Sequence, residues 1–123
     1  MQAEKEEGPL MGTRMGTVII SPAVLSMIAR MTTLSVPGVA SMARAGVNRF
    51  LGSRSGEGVK VQVVDDMVVV DLHIVAEPDV NMLDLSRDIQ SKVTRAIHDI
   101  VGMAVREVNV HVADVAERPI AQT

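Results

Sequence analysis

Residues 59–76 read VKVQVV, then Asp65-Asp66, then MVVVDLHIVA. Two β-branched runs parted by a dipeptide of turn chemistry predict a hairpin, although the pair lacks the glycine that two-residue turns favour. Alternation sends Val59, Val61 and Val63, and across the turn Val68, Val70, Leu72 and Ile74, to one face. Lys60, Gln62, Asp71 and His73 fall on the other. A sheet that is apolar on one side only must cover that side, and helices on either side of the hairpin in sequence are the natural cover.

The clearer of the two helices is predicted over residues 81–101. Met82, Leu85, Ile89, Val93, Ala96, Ile97 and Ile100 fall within roughly 160° of a helical wheel, with Asp84, Arg87, Asp88, Lys92, Arg95 and Asp99 outside it. Gly102 is the expected stop. Upstream, Ser21 supplies a capping hydroxyl and Pro22 a residue preset for the first turn, so a second helix is predicted over 21–34, halted by Val36-Pro37-Gly38. Its apolar residues Val24, Leu25, Met27, Ile28, Ala29, Met31 and Leu34 spread over roughly 220°, leaving Ser26, Arg30 and Thr33 as the polar strip. One sheet face does not cover so wide an arc, so part of this helix is expected to meet another element or another subunit. Residues 16–20 (GTVII) read as a short strand, 39–44 as a weak one and 105–112 (VREVNVHV) as the closing strand. The order predicts an α+β fold: a two-layer sandwich with two helices on one face of a mostly antiparallel sheet, related to the split βαβ arrangement. Residues 1–15 and 116–123 read as mobile tails around one domain, 16–115.

A chain of 123 residues leaves no room for a second core. With no cysteine it can build neither a disulfide framework nor a thiolate metal site nor a cysteine nucleophile. Phe50 is the sole Phe, Tyr or Trp, which removes the stacking platforms that bind single-stranded nucleic acid. No uncharged apolar run reaches 18 residues, and the start carries Glu4, Glu6 and Glu7, unlike a secretory signal. An intracellular protein without a membrane span is the expectation. Net charge is −3, yet the stretch 44–60 holds Arg44, Arg49, Arg54 and Lys60 against Glu57 and is +3, leaving −6 elsewhere. That asymmetry marks a candidate contact surface.

Candidate chemistry is sparse. His73 and His111 share the polar sheet face if their strands are neighbours, with Asp71 or Glu107 as possible further ligands, whereas His98 lies in the helical layer. Met27 and Met31 stand four apart in a copper(I)-like spacing, but on an apolar helical arc thioethers more often fill core gaps. The glycine-rich stretch 52–58 leads into a strand, without the helix N-terminus that phosphate loops use. No nucleophile motif is present, and Ser21 is taken up as a cap. The expectation is a protein that is not an enzyme, with no catalytic residues, no cofactor and no tightly held metal.

Four motifs occur in order: Gly16-Thr17-Val18-Ile19-Ile20-Ser21-Pro22, Val36-Pro37-Gly38-Val39, Gly58-Val59-Lys60-Val61, and Val108-Asn109-Val110-His111-Val112-Ala113-Asp114-Val115. In these the chain resembles the bacterial alkaline shock protein family, also called the envelope stress response family, from about residue 16 to residue 115. It departs at Glu77-Pro78-Asp79, where members commonly show an aromatic residue and a glycine. The resemblance implies a small cytoplasmic α+β protein that self-associates as a homo-oligomer and is held near the cell membrane by an anchored protein partner. No active-site residues come with it. The contact candidates are Arg44, Arg49, Arg54 and Lys60 for an acidic partner segment or anionic lipid, and Met27 and Met31 for an apolar contact. The alternative from another class is a small ligand- or RNA-binding module using the polar sheet face; the missing aromatics and acidic total weigh against it.

Overall fold

In the computed structural model, which describes residues 15–43 and 58–117, the chain begins with helix α1 (Pro22–Leu34) and strand β1 (Val39–Met42). Strands β2 (Val59–Val64) and β3 (Met67–Ala76) follow, then helix α2 (Met82–Ala96), which runs into a π-helical turn (Ile97–Val101), and strand β4 (Ala104–Val115). The hairpin forms as predicted, in register from Val59 opposite Leu72 to Val64 opposite Met67. Asp65 and Asp66 both adopt left-handed φ values, 53° and 65°. These are the signs a type I′ turn demands, met here by a residue type that tolerates them better than most non-glycines.

β3 organises the sheet. Along one edge it pairs antiparallel with β2 and, beyond β2, with β1, where Val39 lies opposite Ala76 and Met42 opposite Ile74. His73 joins the two: its carbonyl accepts from the Ala43 N–H at 2.8 Å and its N–H donates to the Gly58 carbonyl at 2.8 Å. β1 and β2 are therefore two halves of one interrupted strand, and the chain leaves after Ala43 and returns at Gly58. The return requires glycine. Gly58 has φ +73°, and a Cβ there would sit 2.8 Å from the Ala43 oxygen and 2.9 Å from Met42 Cβ. Along its other edge β3 pairs parallel with β4, so β3, α2 and β4 form a βαβ unit. Two of the three strand pairings are antiparallel.

Both helices cover the same face. Val68, Val70, Leu72, Ile74 and Ala76 of β3 are buried with Leu25 and Ala29 of α1 and with Leu85, Ile89 and Val93 of α2. The intervening β3 residues are only half buried, as a sheet with one open face requires. Ser21 Oγ accepts from the Ala23 N–H at 3.2 Å at the start of α1, and Asn81 Oδ1 from the Asp84 N–H at 2.9 Å at the start of α2. Each satisfies an otherwise orphaned helical donor.

Five expectations are corrected. Residues 16–20 form no strand: they are exposed, and β-branched propensity is realised only against a neighbouring strand, which none of the described residues provides. Thr33 lies not in the polar strip of α1 but wholly inside, because its hydroxyl donates to the Ala29 carbonyl at 2.7 Å and enters the core without an unpaired donor. Ile100 is 68% exposed instead of buried. At Ile97 the helix widens, the Gly102 N–H reaching back five residues to the Ile97 carbonyl, and the extra residue turns Ile100 outward while Val101 packs on the core in its place. Met82, in the first turn of α2, is likewise exposed. Strand β1 ends at Met42, two residues short of the predicted end, and Arg44 lies outside the described residues.

Candidate functional site

The buried residues of α1 recur at Leu25, Ala29 and Thr33, a spacing of four that makes one narrow inner face. Val24, Met27, Met31 and Leu34 follow a three-and-four spacing on the opposite side. All four are exposed, Met27 by 54% and Met31 by 60%. The expectation that thioethers here fill gaps in this chain's own core is thus overturned for Met27 and Met31, while the expectation of surplus apolar arc is met. In the segment that precedes the helix in sequence, Val18, Ile19 and Ile20 are exposed as well. Arg30 is the one charged residue of the helix. Isolated exposed apolar side chains are ordinary, but four in helical register form one stripe of the kind that marks contact sites.

The open face of the sheet is polar. Lys60 lies opposite Asp71 in the β2–β3 ladder, and Asp71 lies opposite Asn109 in the β3–β4 ladder. Asn109 Nδ2 donates to Asp71 at 2.9 Å and to Glu107 at 3.1 Å. One step along, His73 and His111 are in register, their rings stacked with centroids 4.5 Å apart and planes within 11°. His98 is remote from them, exposed on the π-helical turn beside Asp99, with Nδ1 to Oδ1 at 3.3 Å. The division of the histidines between two layers is as the sequence predicts. Among the described residues no group of three or more His, Cys, Asp or Glu gathers around a point that could hold a metal ion.

A third feature was not legible in sequence. An open depression of about 730 Å³ runs between α2 and β4, lined in part by Gln90, Ser91, Arg95 and His98. Gln90 Nε2 spans it to donate to the Val108 carbonyl at 3.0 Å. Ser91, His98 and Asp99 share this lining, yet no described hydrogen bond joins the hydroxyl to the imidazole, so the nucleophile–base pair that hydrolysis needs is not assembled there. Of the charged contact candidates, Lys60 is exposed on β2, whereas Arg44, Arg49 and Arg54 lie outside the described residues. No helix among the described residues is long and apolar enough to cross a membrane.

A four-stranded sheet with both helices on one face and a polar open face defines an α+β protein whose exposed features are surfaces more than a cleft. The model of the alkaline shock protein 23 family, described by its cell envelope-related function, matches residues 11–117, and the chain belongs to this family. Among curated relatives, the uncharacterised protein YqhY of Bacillus subtilis is 29% identical over 107 residues, covering 84% of this chain and 79% of YqhY. Spy1535 of Streptococcus pyogenes is 31% identical over 99 residues, 79% of this chain and 77% of that protein. YloU of Bacillus subtilis is 25% identical over 109 residues, 84% of this chain and 91% of YloU. Among solved structures a variant of MamM CTD aligns with a TM-score of 0.48 at 15% identity, covering 76% of this chain and 94% of that one.

Proposed function

We propose that this chain is a non-catalytic, self-associating protein of the envelope stress response, working in the cytoplasm and held near the cell membrane by an anchored protein partner. The observation that carries the reading is the second apolar face of α1. Val24, Met27, Met31 and Leu34 lie opposite a complete inner face, so they add nothing to this chain's own core and are available to a second copy. Membership of a family with envelope-related function supplies the cellular setting.

The stretch 44–60 adds the charge. Its cations attract an acidic partner segment or anionic lipid by about 1 kcal/mol each near a membrane surface, too little to hold one copy and enough when several copies act together. The flanking residues support this reading, since Ala43 and Gly58 lie side by side against His73 and so hold the two ends of the stretch together at the sheet edge. The alternative, an RNA-binding module on the open sheet face, is weakened by the carboxylates of Asp71 and Glu107 on that face.

Fractionation of cells under envelope stress tests the proposal. Wild-type protein should co-sediment with membranes and release a membrane-protein partner on pull-down. Arg44→Gln, Arg49→Gln and Arg54→Gln together should reduce recruitment and its salt sensitivity with folding intact. Co-purifying nucleic acid in place of a membrane protein would overturn the reading.

A further inference from the structure

Polar pairs on an open sheet face normally complement each other, as Asp71 and Asn109 do here through a 2.9 Å hydrogen bond. The next registered pair is two histidines, His73 and His111, stacked ring on ring. Two imidazoles so placed set nitrogen donors from neighbouring strands side by side. Among the described hydrogen bonds none uses a ring nitrogen of either residue, in contrast to His98, whose Nδ1 is engaged by Asp99. His111 is exposed and His73 half buried, so the pair is open to solvent.

We infer that His73 and His111 form a two-ligand site for a borderline divalent cation, with Zn²⁺ as its simplest occupant. Imidazole suits zinc, nickel and copper, and the register sets the two side chains side by side on one sheet face. Two Zn–N bonds of about 2.0–2.1 Å at the tetrahedral angle place the nitrogens about 3.3 Å apart, so the rings, stacked at 4.5 Å with their lone pairs in the ring planes, must swing out of the stack to converge on one ion, which their place on the open face allows. By register the same face carries Asp71, Glu107 and Asp114 against Lys60, a local excess of negative charge that favours a cation. The chain supplies two ligands and leaves the remaining positions to water or to an outside donor, so the ion is exchangeable and escapes during purification. A site of this kind accords with the absence of any cluster of three ligands among the described residues.

Calorimetric titration of the full chain with Zn²⁺ alone, near neutral pH, tests this. Wild-type protein should bind saturably at one ion per chain. His111→Phe and His73→Phe keep a ring for stacking and remove the donor nitrogens; each should weaken binding about 100-fold, the gain that a second linked ligand confers. His98→Ala should bind as wild type. A readout that needs no variant is proton NMR, in which zinc should shift the ring resonances of two histidines and leave the third in place. Absence of saturable binding, or affinity retained in both Phe variants, overturns the site.

Discussion

The two helices lie on the same sheet face and meet it differently. α2 buries Leu85, Ile89 and Val93 and presents Arg87, Asp88, Lys92 and Arg95 to solvent, with Lys92 3.5 Å from Asp88 one turn away. α1 buries Leu25, Ala29 and Thr33 and presents Val24, Met27, Met31 and Leu34. Apart from Met82 and Leu83 in its first turn, α2 has one apolar stripe, and that stripe is met within its own fold. A helix with apolar residues on opposite sides has an inner face for folding and an outer face for something else. The difference teaches that in this chain the inner face of α1 serves folding, while its outer apolar face is left for the association proposed above.

If that division holds, substitutions on inner faces cost stability and those on the outer face of α1 do not. The largest effect is expected at Ile89, wholly buried at the centre of the α2 stripe, where Ile89→Ala should lower stability by about 2–5 kcal/mol in urea unfolding. Next comes Gly58→Ala, which forces a side chain into a left-handed position and against the Ala43 carbonyl. A loss of about 2 kcal/mol or more is expected, read as a fall in the thermal midpoint. Asp66→Gly works the other way: it relieves the left-handed strain at the second turn position and should raise stability by up to about 1 kcal/mol. Smallest is the paired change Met27→Glu and Met31→Glu, which should leave the unfolding free energy of the monomer within about 0.5 kcal/mol of wild type. A cost of several kcal/mol there would place the two methionines in the core after all and erase the contrast between the helices.

Where period and punctuation agree, the fold is legible in the residues. The alternation of 59–64 and 67–76 and the Ser21-Pro22 start both lead to the elements observed. What the pattern misses is decided by geometry that sequence spacing does not record. The wheel assumes one constant turn, so a π-turn at Ile97 exchanges Ile100 for Val101. A hydroxyl counts as polar, so Thr33 is assigned outward although a bond to its own helix lets it go in. Both strands flanking the stretch 44–57 are visible in the sequence, but their service as halves of one strand appears only when His73 is seen to bond Ala43 on one side and Gly58 on the other. The candidate surfaces divide similarly. The surplus arc of α1 announces the Met27 and Met31 face, whereas the stacking of His73 on His111 follows from the parallel register of β3 and β4, which alternation within one strand does not fix.

The central claim is that the outer face of α1 associates copies of this chain. Sedimentation velocity over a concentration series, comparing wild type with Met27→Glu plus Met31→Glu, tests it most directly. The account predicts a wild type that sediments as oligomers with rising concentration and a folded variant that remains monomeric throughout. A wild type that stays monomeric across the series, or a variant that associates as strongly as wild type, would contradict it.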